Sequence, residues 1–109
     1  MLERDLQTAV VEAMGIYNWL VAHFRPARTL QGWATAVSAQ GRGFPDVVAA
    51  RDRVIFVEFK VPPNRLSVDQ ATWADRLRAA GAECYLWTPA DWLDGTVDNV
   101  IRPAYPVQP

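Results

Sequence analysis

The chain has 109 residues, of which half are hydrophobic, and a formal net charge of −1 at pH 7. A chain of this size buries one modest core, so we expect a single domain. Its single cysteine, Cys84, excludes an internal disulfide and any zinc site built on several cysteines, and it is expected to be a buried structural thiol. No apolar run approaches the roughly 20 residues of a membrane span, and the N-terminus lacks a secretory pattern. We therefore expect no membrane association and a location in the cytoplasm of a bacterium or of a phage-infected host.

Charge is unevenly distributed along the chain. Residues 25–65 carry seven basic side chains and three acidic ones, whereas residues 1–24 and 66–109 are both net acidic. A basic central segment suits a nucleic-acid partner, but an ordinary mixture of solvated charges explains it equally well. The overall charge itself argues mildly against nucleic-acid binding.

Apolar residues at helical spacing predict a first amphipathic helix over residues 2–24, before Pro26. Glu3 and Gln7 lie one turn apart beside its apolar stripe. They either point together into a neighbouring cleft or lie in solvent near the helix start, where the helix dipole favours Glu3. His23, the only histidine, is expected on the surface near the end of this helix.

The next segment is less regular, with a short strand predicted from residue 33 to residue 39 and a turn at residues 40–43. Arg28 and Arg42 flank this strand. Both suit contacts with phosphate groups, although loop arginines without a ligand fit the pattern equally well.

A β-hairpin is predicted next, because two runs of apolar and β-branched residues, 46–50 and 54–60, are separated by residues 51–53. A loop of three residues places Asp46 directly opposite Glu58. A loop of two residues would put the two carboxylates on opposite faces of the sheet. The register of this hairpin therefore decides whether the two side chains can form one site.

The remaining elements complete the fold class. We predict a second helix over residues 67–81, a strand over residues 82–87 and a short helix from residue 88 to residue 95. This order indicates an α/β domain with a central mixed sheet flanked by helices, spanning residues 1–102. The proline-rich tail, residues 103–109, is predicted to be extended or disordered.

Tryptophan is abundant for a chain of this length, with five residues. Trp19, Trp73 and Trp87 are expected in the core. Trp33 and Trp92 suit either packing at the edge of the core or stacking on a base.

The charged residues of the predicted hairpin require an explanation, since charges are seldom placed among buried strands unless something pairs or binds them. Two adjacent carboxylates, Asp46 and Glu58, make a hard oxygen site suited to Mg²⁺ or Mn²⁺, and the backbone carbonyl of Phe59 offers a further oxygen. Lys60 can orient a nucleophilic water or stabilise charge that develops on a phosphate.

The identity of Lys60 sharpens this hypothesis, because it is the only lysine in a chain with ten arginines. A compact ammonium acting at close range explains that choice better than a planar guanidinium does. The alternative is a buried ion pair across the hairpin, which is a weak source of stability.

These residues resemble a known nuclease signature. Gly-Phe-Pro-Asp at residues 43–46 and Glu-Phe-Lys at residues 58–60 resemble the PD-(D/E)xK motif. The run at residues 58–73 and the Glu-Arg-Asp-Leu-Gln stretch at residues 3–7 are similar to the VRR-NUC (virus-type replication-repair nuclease) branch. The resemblance covers residues 3–88 and implies a restriction-endonuclease-like core.

The resemblance also implies a Mg²⁺- or Mn²⁺-dependent phosphodiesterase. Asp46, Glu58 and the carbonyl of Phe59 are then the expected metal ligands. Glu3 adds a ligand or orients a metal-bound water, and Lys60 assists the nucleophile.

Gln70 in such enzymes points back to the site from the following helix. The spacing Ser67-x-x-Gln70 is also a capping box, so a purely local role fits equally well. Arg28, Arg42 and Arg65 are the candidate DNA-binding residues.

Minimal phage-like members of the branch resemble Holliday-junction resolvases, and symmetric cutting of two strands requires a homodimer. We therefore expect a small homodimeric endonuclease acting on branched DNA. The amino-acid composition of the chain suits a bacteriophage protein. A nicking, flap or repair endonuclease is the alternative among enzymes. A catalytically inactive nucleic-acid-binding module is the alternative of another class, and the intact carboxylates together with the single lysine count against it.

Overall fold

The computed structural model describes residues 1–24 and 39–104, and the backbone alone of residues 27–29 and 32–34. The elements in chain order are α1 (Glu3–Ile16), β1 (Leu20–His23), β2 (Ala27–Thr29), β3 (Gly32–Ala34), β4 (Val47–Ala50), β5 (Val54–Phe59), α2 (Val68–Ala79), β6 (Glu83–Trp87), α3 (Pro89–Leu93) and α4 (Thr96–Ile101). In this part of the chain, no helix is long and apolar enough to cross a membrane.

The central sheet has four strands in the order β1-β4-β5-β6. The pairs β1–β4 and β4–β5 are antiparallel, whereas β6 pairs with β5 in parallel. Strands β2 and β3 form a separate two-stranded sheet. The predicted α/β fold with a mixed central sheet is therefore confirmed.

One face of the sheet carries the hydrophobic core. Side chains alternate along β5, so Ile55, Val57 and Phe59 all face this core and are fully buried. Helices α1 and α4 cover this face with their apolar stripes. The buried cluster comprises Leu6, Val10, Met14, Trp19, Val47, Ala49, Ile55, Val57, Phe59, Trp87, Val97 and Ile101.

The opposite face of the sheet bears Phe56 and Glu58 and is partly covered by α2. Phe44, in the loop before β4, contacts both Phe56 and Trp73 of α2 edge to face, with ring centroids 6.1 Å and 4.9 Å away. Cys84 on β6 is buried, as expected for a structural thiol. Glu58 therefore lies on the face that α2 partly covers.

The first helix is shorter than its apolar periodicity predicts. It ends at Ile16 rather than near residue 24, because Asn18 adopts a left-handed conformation with φ of 68° and turns the chain. The residues that follow form the edge strand β1, in which Leu20 pairs with Ala50. The prediction that His23 lies near a helix end was therefore wrong, since it is the last residue of this strand.

The C-terminal half follows the prediction more closely. Helix α2 begins after the Ser67 cap and is followed by Gly81, whose φ of +88° suits glycine at a helix end. Helix α4 was not predicted. It starts after Gly95, and its last carbonyl, that of Ile101, accepts a hydrogen bond of 2.7 Å from the Trp19 indole.

Trp19 and Trp87 are buried as expected, but Trp73 is only half-buried, because it packs on the partly covered face. Trp92 is half-buried and packs against the edge of the core. The side chain of Trp33, most of the strand predicted at residues 33–39 and the end of the predicted tail lie outside the described residues. The described backbone at the start of that region forms the strand Gly32–Ala34.

Candidate active site

The hairpin has the register that a shared carboxylate site requires. Val47 pairs with Val57 and Ala50 pairs with Val54, so the connecting loop has three residues. One step beyond the last pair, Asp46 comes opposite Glu58. The sequence-based condition for placing both carboxylates on one face is thus met.

Asp46 is held in place by the backbone of the neighbouring strand. Its Oδ2 accepts the Phe59 N–H at 2.9 Å. In the same register, the buried Pro45 comes opposite Phe59 and has no N–H to donate. Pro45 therefore cannot donate a hydrogen bond to the Phe59 carbonyl. The Phe59 N–H donates instead to the Asp46 carboxylate.

Glu58 is 5% exposed and is the only buried charged side chain among the described residues. The pKa of Glu58 is raised to about 9, mainly by burial. The charge of Asp46 and a hydrogen bond between the Asp46 and Glu58 carboxyl groups contribute to this rise. Two carboxylates confined in this way repel each other unless a proton or a cation lies between them. Burial beside a second carboxylate therefore favours the protonated form of Glu58 in the metal-free protein.

The donor set fits a hard divalent cation. In the part of the chain that the structure describes, no three His, Cys, Asp or Glu side chains converge as a ready-made metal cluster. Asp46, Glu58 and the Phe59 carbonyl would be the protein ligands, and Mg²⁺ commonly completes such a set with water. A bound cation would also relieve the repulsion that raises the pKa of Glu58.

Glu3 comes to this site from the start of α1. Its pKa is raised by partial burial and by the nearby charge of Asp46, while the charge of Lys60 acts in the opposite direction. Both effects place Glu3 within electrostatic reach of the two hairpin residues. The charges of Asp46 and Lys60 thus both act on Glu3, which couples the start of α1 electrostatically to the hairpin.

Lys60 follows directly after β5, and its N–H donates to the Trp87 carbonyl at 3.0 Å. This bond continues the parallel pairing with β6 by one residue and fixes the backbone of Lys60 at the C-terminal end of β5. The positive charge of its side chain also lowers the pKa of Glu58, against the larger effect of burial. The charge of Lys60 therefore acts on both Glu58 and Glu3.

Gln70 combines the two roles that the sequence left as alternatives. Its backbone N–H donates to Ser67 Oγ at 3.1 Å, and its Oε1 accepts the Ser67 N–H at 2.9 Å, which completes the capping box. Its Nε2 donates to Glu58 Oε1 at 2.9 Å. The cap fixes the amide so that its donor faces the buried carboxyl group.

The sequence did not predict that Glu3, Gln7 and His23 form a chain of polar contacts. Gln7 donates to Glu3 at 3.4 Å, and its Oε1 lies 3.1 Å from His23 Nε2. The Glu3–Gln7 spacing was visible in the sequence, whereas His23 joins them only because β1 is a strand beside α1. Recognising Asn18 as a helix-ending residue would have supplied that signal.

The three candidate DNA-binding arginines differ in position. Arg42 is 90% exposed and lies 3.8 Å from Asp69 at the start of α2. Arg65 is exposed in the loop before α2 and makes no ion pair within the described residues. The side chain of Arg28 lies outside the described part of the chain.

Two comparisons with known proteins found a match. A sequence model of the VRR-NUC domain matches residues 16–89, a span that contains the two hairpin carboxylates but begins after Glu3. A solved structure described as "VRR_NUC domain" superposes with a TM-score of 0.65 at 23% sequence identity, covering 94% of this chain and 97% of that chain. No curated protein sequence matches the chain.

Proposed function

The chain belongs to the VRR-NUC domain family, and on that premise we propose that it is a Mg²⁺- or Mn²⁺-dependent endonuclease that cuts branched DNA. Family membership implies a nuclease of the PD-(D/E)xK type, with DNA as its substrate. The observation that best supports metal dependence is that Asp46 lies beside a buried Glu58 and that neither carboxylate forms an ion pair within the described residues. Two adjacent carboxylates lower the stability of the metal-free fold, whereas they can both bind a divalent metal.

Each residue of the site has a separate task in this mechanism. A bound metal would polarise the phosphodiester and favour formation of hydroxide at neutral pH. Asp46 and Glu58 would hold that metal, and Gln70 would keep the Glu58 carboxylate in one orientation. Lys60 would donate hydrogen bonds to a phosphate oxygen and stabilise the negative charge that grows in the transition state.

Glu3 would act one step further from the metal. The charges of Asp46 and Lys60 both act on its carboxyl group, to which Gln7 donates a hydrogen bond at 3.4 Å. From that position it would accept a hydrogen bond from a water in the site and orient that water toward the phosphate.

The preference for branched DNA and the homodimer belong together in this proposal. A junction is resolved by two symmetric cuts, and each chain offers one candidate site, so two protomers are required. Exposed apolar side chains on the α2 side of the sheet support self-association: Leu20 is 80% exposed and Val54 is 49% exposed. Replacing Leu20 with glutamate should then shift the protein from dimer to monomer in light-scattering measurements.

The experiment that tests the function compares three DNA substrates: a four-way junction, a flap and a linear duplex. Each is incubated with Mg²⁺ or Mn²⁺ and either the wild-type protein or the Lys60→Ala variant. We expect metal-dependent cutting of the junction by the wild type and little cutting by the variant. Lys60→Arg serves as a control, because it keeps the charge but not the compact ammonium.

Other outcomes separate the alternatives. Absence of metal-dependent cutting on every substrate, with DNA binding retained, would favour an inactive binding module. Preferential cutting of the flap would favour a repair endonuclease, and equal cutting of all three substrates would contradict the junction preference.

A further inference from the structure

A second concave surface lies beside the candidate site, between α2 and the loop that precedes β4. This α2 groove has a volume of about 380 Å³, within the range of small-ligand sites. Its helix side consists of residues three or four positions apart, which share one face of α2. The groove is lined by Gln40, Arg42, Asp69, Thr72, Trp73 and Arg76.

Close backbone packing connects this groove to the active-site carboxylates. Gly43 adopts φ of +85°, and a Cβ atom at this position would lie 2.5 Å from the backbone carbon of Asp69. Only glycine allows the loop to approach the first turn of α2 so closely. Asp69 immediately precedes Gln70, whose amide contacts Glu58 at 2.9 Å. The groove is therefore preformed and directly adjoins the candidate site.

The floor of the groove is an aromatic ring held from two sides. The Trp73 indole N–H donates to the Gln40 carbonyl at 3.0 Å. Its ring also meets Phe44 at an interplanar angle of 80°. Because these contacts leave Trp73 only half-buried, the remaining ring surface is available to stack on a base.

Two arginines line the groove beside this ring. Arg42 is 90% exposed, and its ion pair with Asp69 is long at 3.8 Å and therefore weak. Arg76 is exposed and forms no ion pair within the described residues. Guanidinium groups free of strong partners can bind a phosphate through paired hydrogen bonds.

We propose that the α2 groove binds an unpaired nucleotide of the substrate next to the cleavage site. Its base would stack on Trp73, and its phosphates would contact Arg42 and Arg76. This inference rests on the proposed nuclease function and specifies its substrate as DNA with an unpaired nucleotide flanking the cut. A base inside a duplex cannot reach the groove without leaving its stack, which costs free energy.

A pair of charge variants at Thr72 tests the groove without disturbing the core. Thr72 is exposed, and its hydroxyl donates only to the Val68 carbonyl within α2, at 2.9 Å. Thr72→Glu should weaken binding of a fluorescent oligodeoxythymidine by about three- to tenfold, and Thr72→Lys should strengthen it by a similar factor. Fluorescence anisotropy in the presence of EDTA measures this binding without cleavage.

Thr8 supplies a matched control, because it is an exposed threonine within a helix on the other face of the sheet. Thr8→Glu and Thr8→Lys make the same changes in net charge, and we expect them to alter binding by less than about twofold. If the Thr8 and Thr72 pairs shift binding alike, the groove does not hold the nucleotide and the inference is overturned.

A second pair of variants tests stacking. Trp73→Leu should lower affinity for the oligodeoxythymidine by about tenfold, and Trp73→Phe should recover part of the loss. Equal affinities for wild type, Trp73→Leu and Trp73→Phe would contradict stacking. The Thr72 pair still decides the question if a Trp73 variant fails to fold.

A blunt duplex separates unpaired nucleotides from DNA in general. The two Thr72 variants should differ much less on this duplex than on the oligodeoxythymidine, and an equal difference would overturn the claim for unpaired DNA. The same data distinguish this inference from the nuclease proposal. Selective Thr72 effects without any cleavage would support the groove and contradict the enzyme, whereas intact cleavage with no Thr72 effect would do the reverse.

Discussion

The two ends of the β4–β5 hairpin both carry charged residues, but the fold satisfies them differently. At the turn, Arg51 donates to the Tyr17 and Ile101 carbonyls at 3.1 Å and 2.9 Å. It also lies 4.4 Å from the centre of the Trp19 ring. Arg53 pairs with Glu83 at 2.9 Å. Every charge at this end therefore has a partner of opposite charge or a carbonyl to bind.

The open end of the hairpin has the reverse arrangement. Asp46 and Glu58 face each other, and neither forms an ion pair within the part of the chain that the structure describes. Glu58 is nevertheless the more buried of the two acids. Charges with hydrogen-bond and ion-pair partners are compatible with the fold by themselves, whereas like charges placed together cost stability and are expected where a ligand supplies a cation.

The largest expected effect is on catalysis at the open end. Glu58→Gln keeps the size of the side chain and removes the charge, so we expect cleavage of a four-way junction to fall by about 10³-fold or more. Rates from gel assays under single-turnover conditions measure this loss. Arg53→Ala is the control at the turn end, and the folded fraction of that variant should keep near wild-type cleavage.

The next effect is on stability at the turn. Arg51→Ala removes two hydrogen bonds to backbone carbonyls, an exposed one to Asp52 and the packing on Trp19, so the free energy of unfolding should fall by about 2–3 kcal/mol. Urea denaturation followed by tryptophan fluorescence measures the change. A stability equal to that of the wild type would show that the turn arginines do not hold α4 against the sheet.

The two roles of Gln70, in the helix cap and in the candidate site, can be tested separately. Ser67→Ala and Gln70→Ala should each cost about 1 kcal/mol through loss of the capping box. Only Gln70→Ala should also lower metal affinity or cleavage, by about tenfold, because it frees Glu58 from its donor. Equal cleavage by the two variants would mean that Gln70 serves only as a cap.

The last prediction concerns pH and the metal-free protein. Between the ordinary carboxyl pKa of 4.5 and about 9, folded Glu58 keeps a proton that the unfolded chain has released. Folding therefore binds a proton in this range, and stability from this residue falls as pH rises. Thermal melts in EDTA across this range should show the decline, and Glu58→Gln should flatten it. An identical slope in both proteins would contradict the raised pKa.

The sequence was most informative where local patterns agree with the tertiary structure. The three-residue hairpin loop, the Ser67 cap and the alternation along β5 all follow from local rules, and they place Asp46 and Glu58 together. The solitary lysine supplied chemistry that the fold alone does not show. This part of the site could therefore be predicted before any coordinates.

What the sequence did not predict depends on contacts between distant elements. The apolar period of α1 continues through residue 20, yet pairing with β4 makes Leu20–His23 a strand. Helix α4 is only six residues long and is held by Trp19 and the turn arginines, so its local signal is weak. The α2 groove likewise exists because Gly43 lets a loop pack on a helix about 26 residues later in the chain.

The most direct test of the metal site is calorimetric titration with Mn²⁺ of the wild type, Glu58→Gln and the turn control Arg53→Ala. We expect the wild type and Arg53→Ala to bind with similar affinity and Glu58→Gln to bind at least about tenfold more weakly. Binding should also release a proton from Glu58 in the wild type near neutral pH, and this release should be absent in Glu58→Gln. Equal Mn²⁺ affinity in all three proteins would contradict a metal site at the open end of the hairpin.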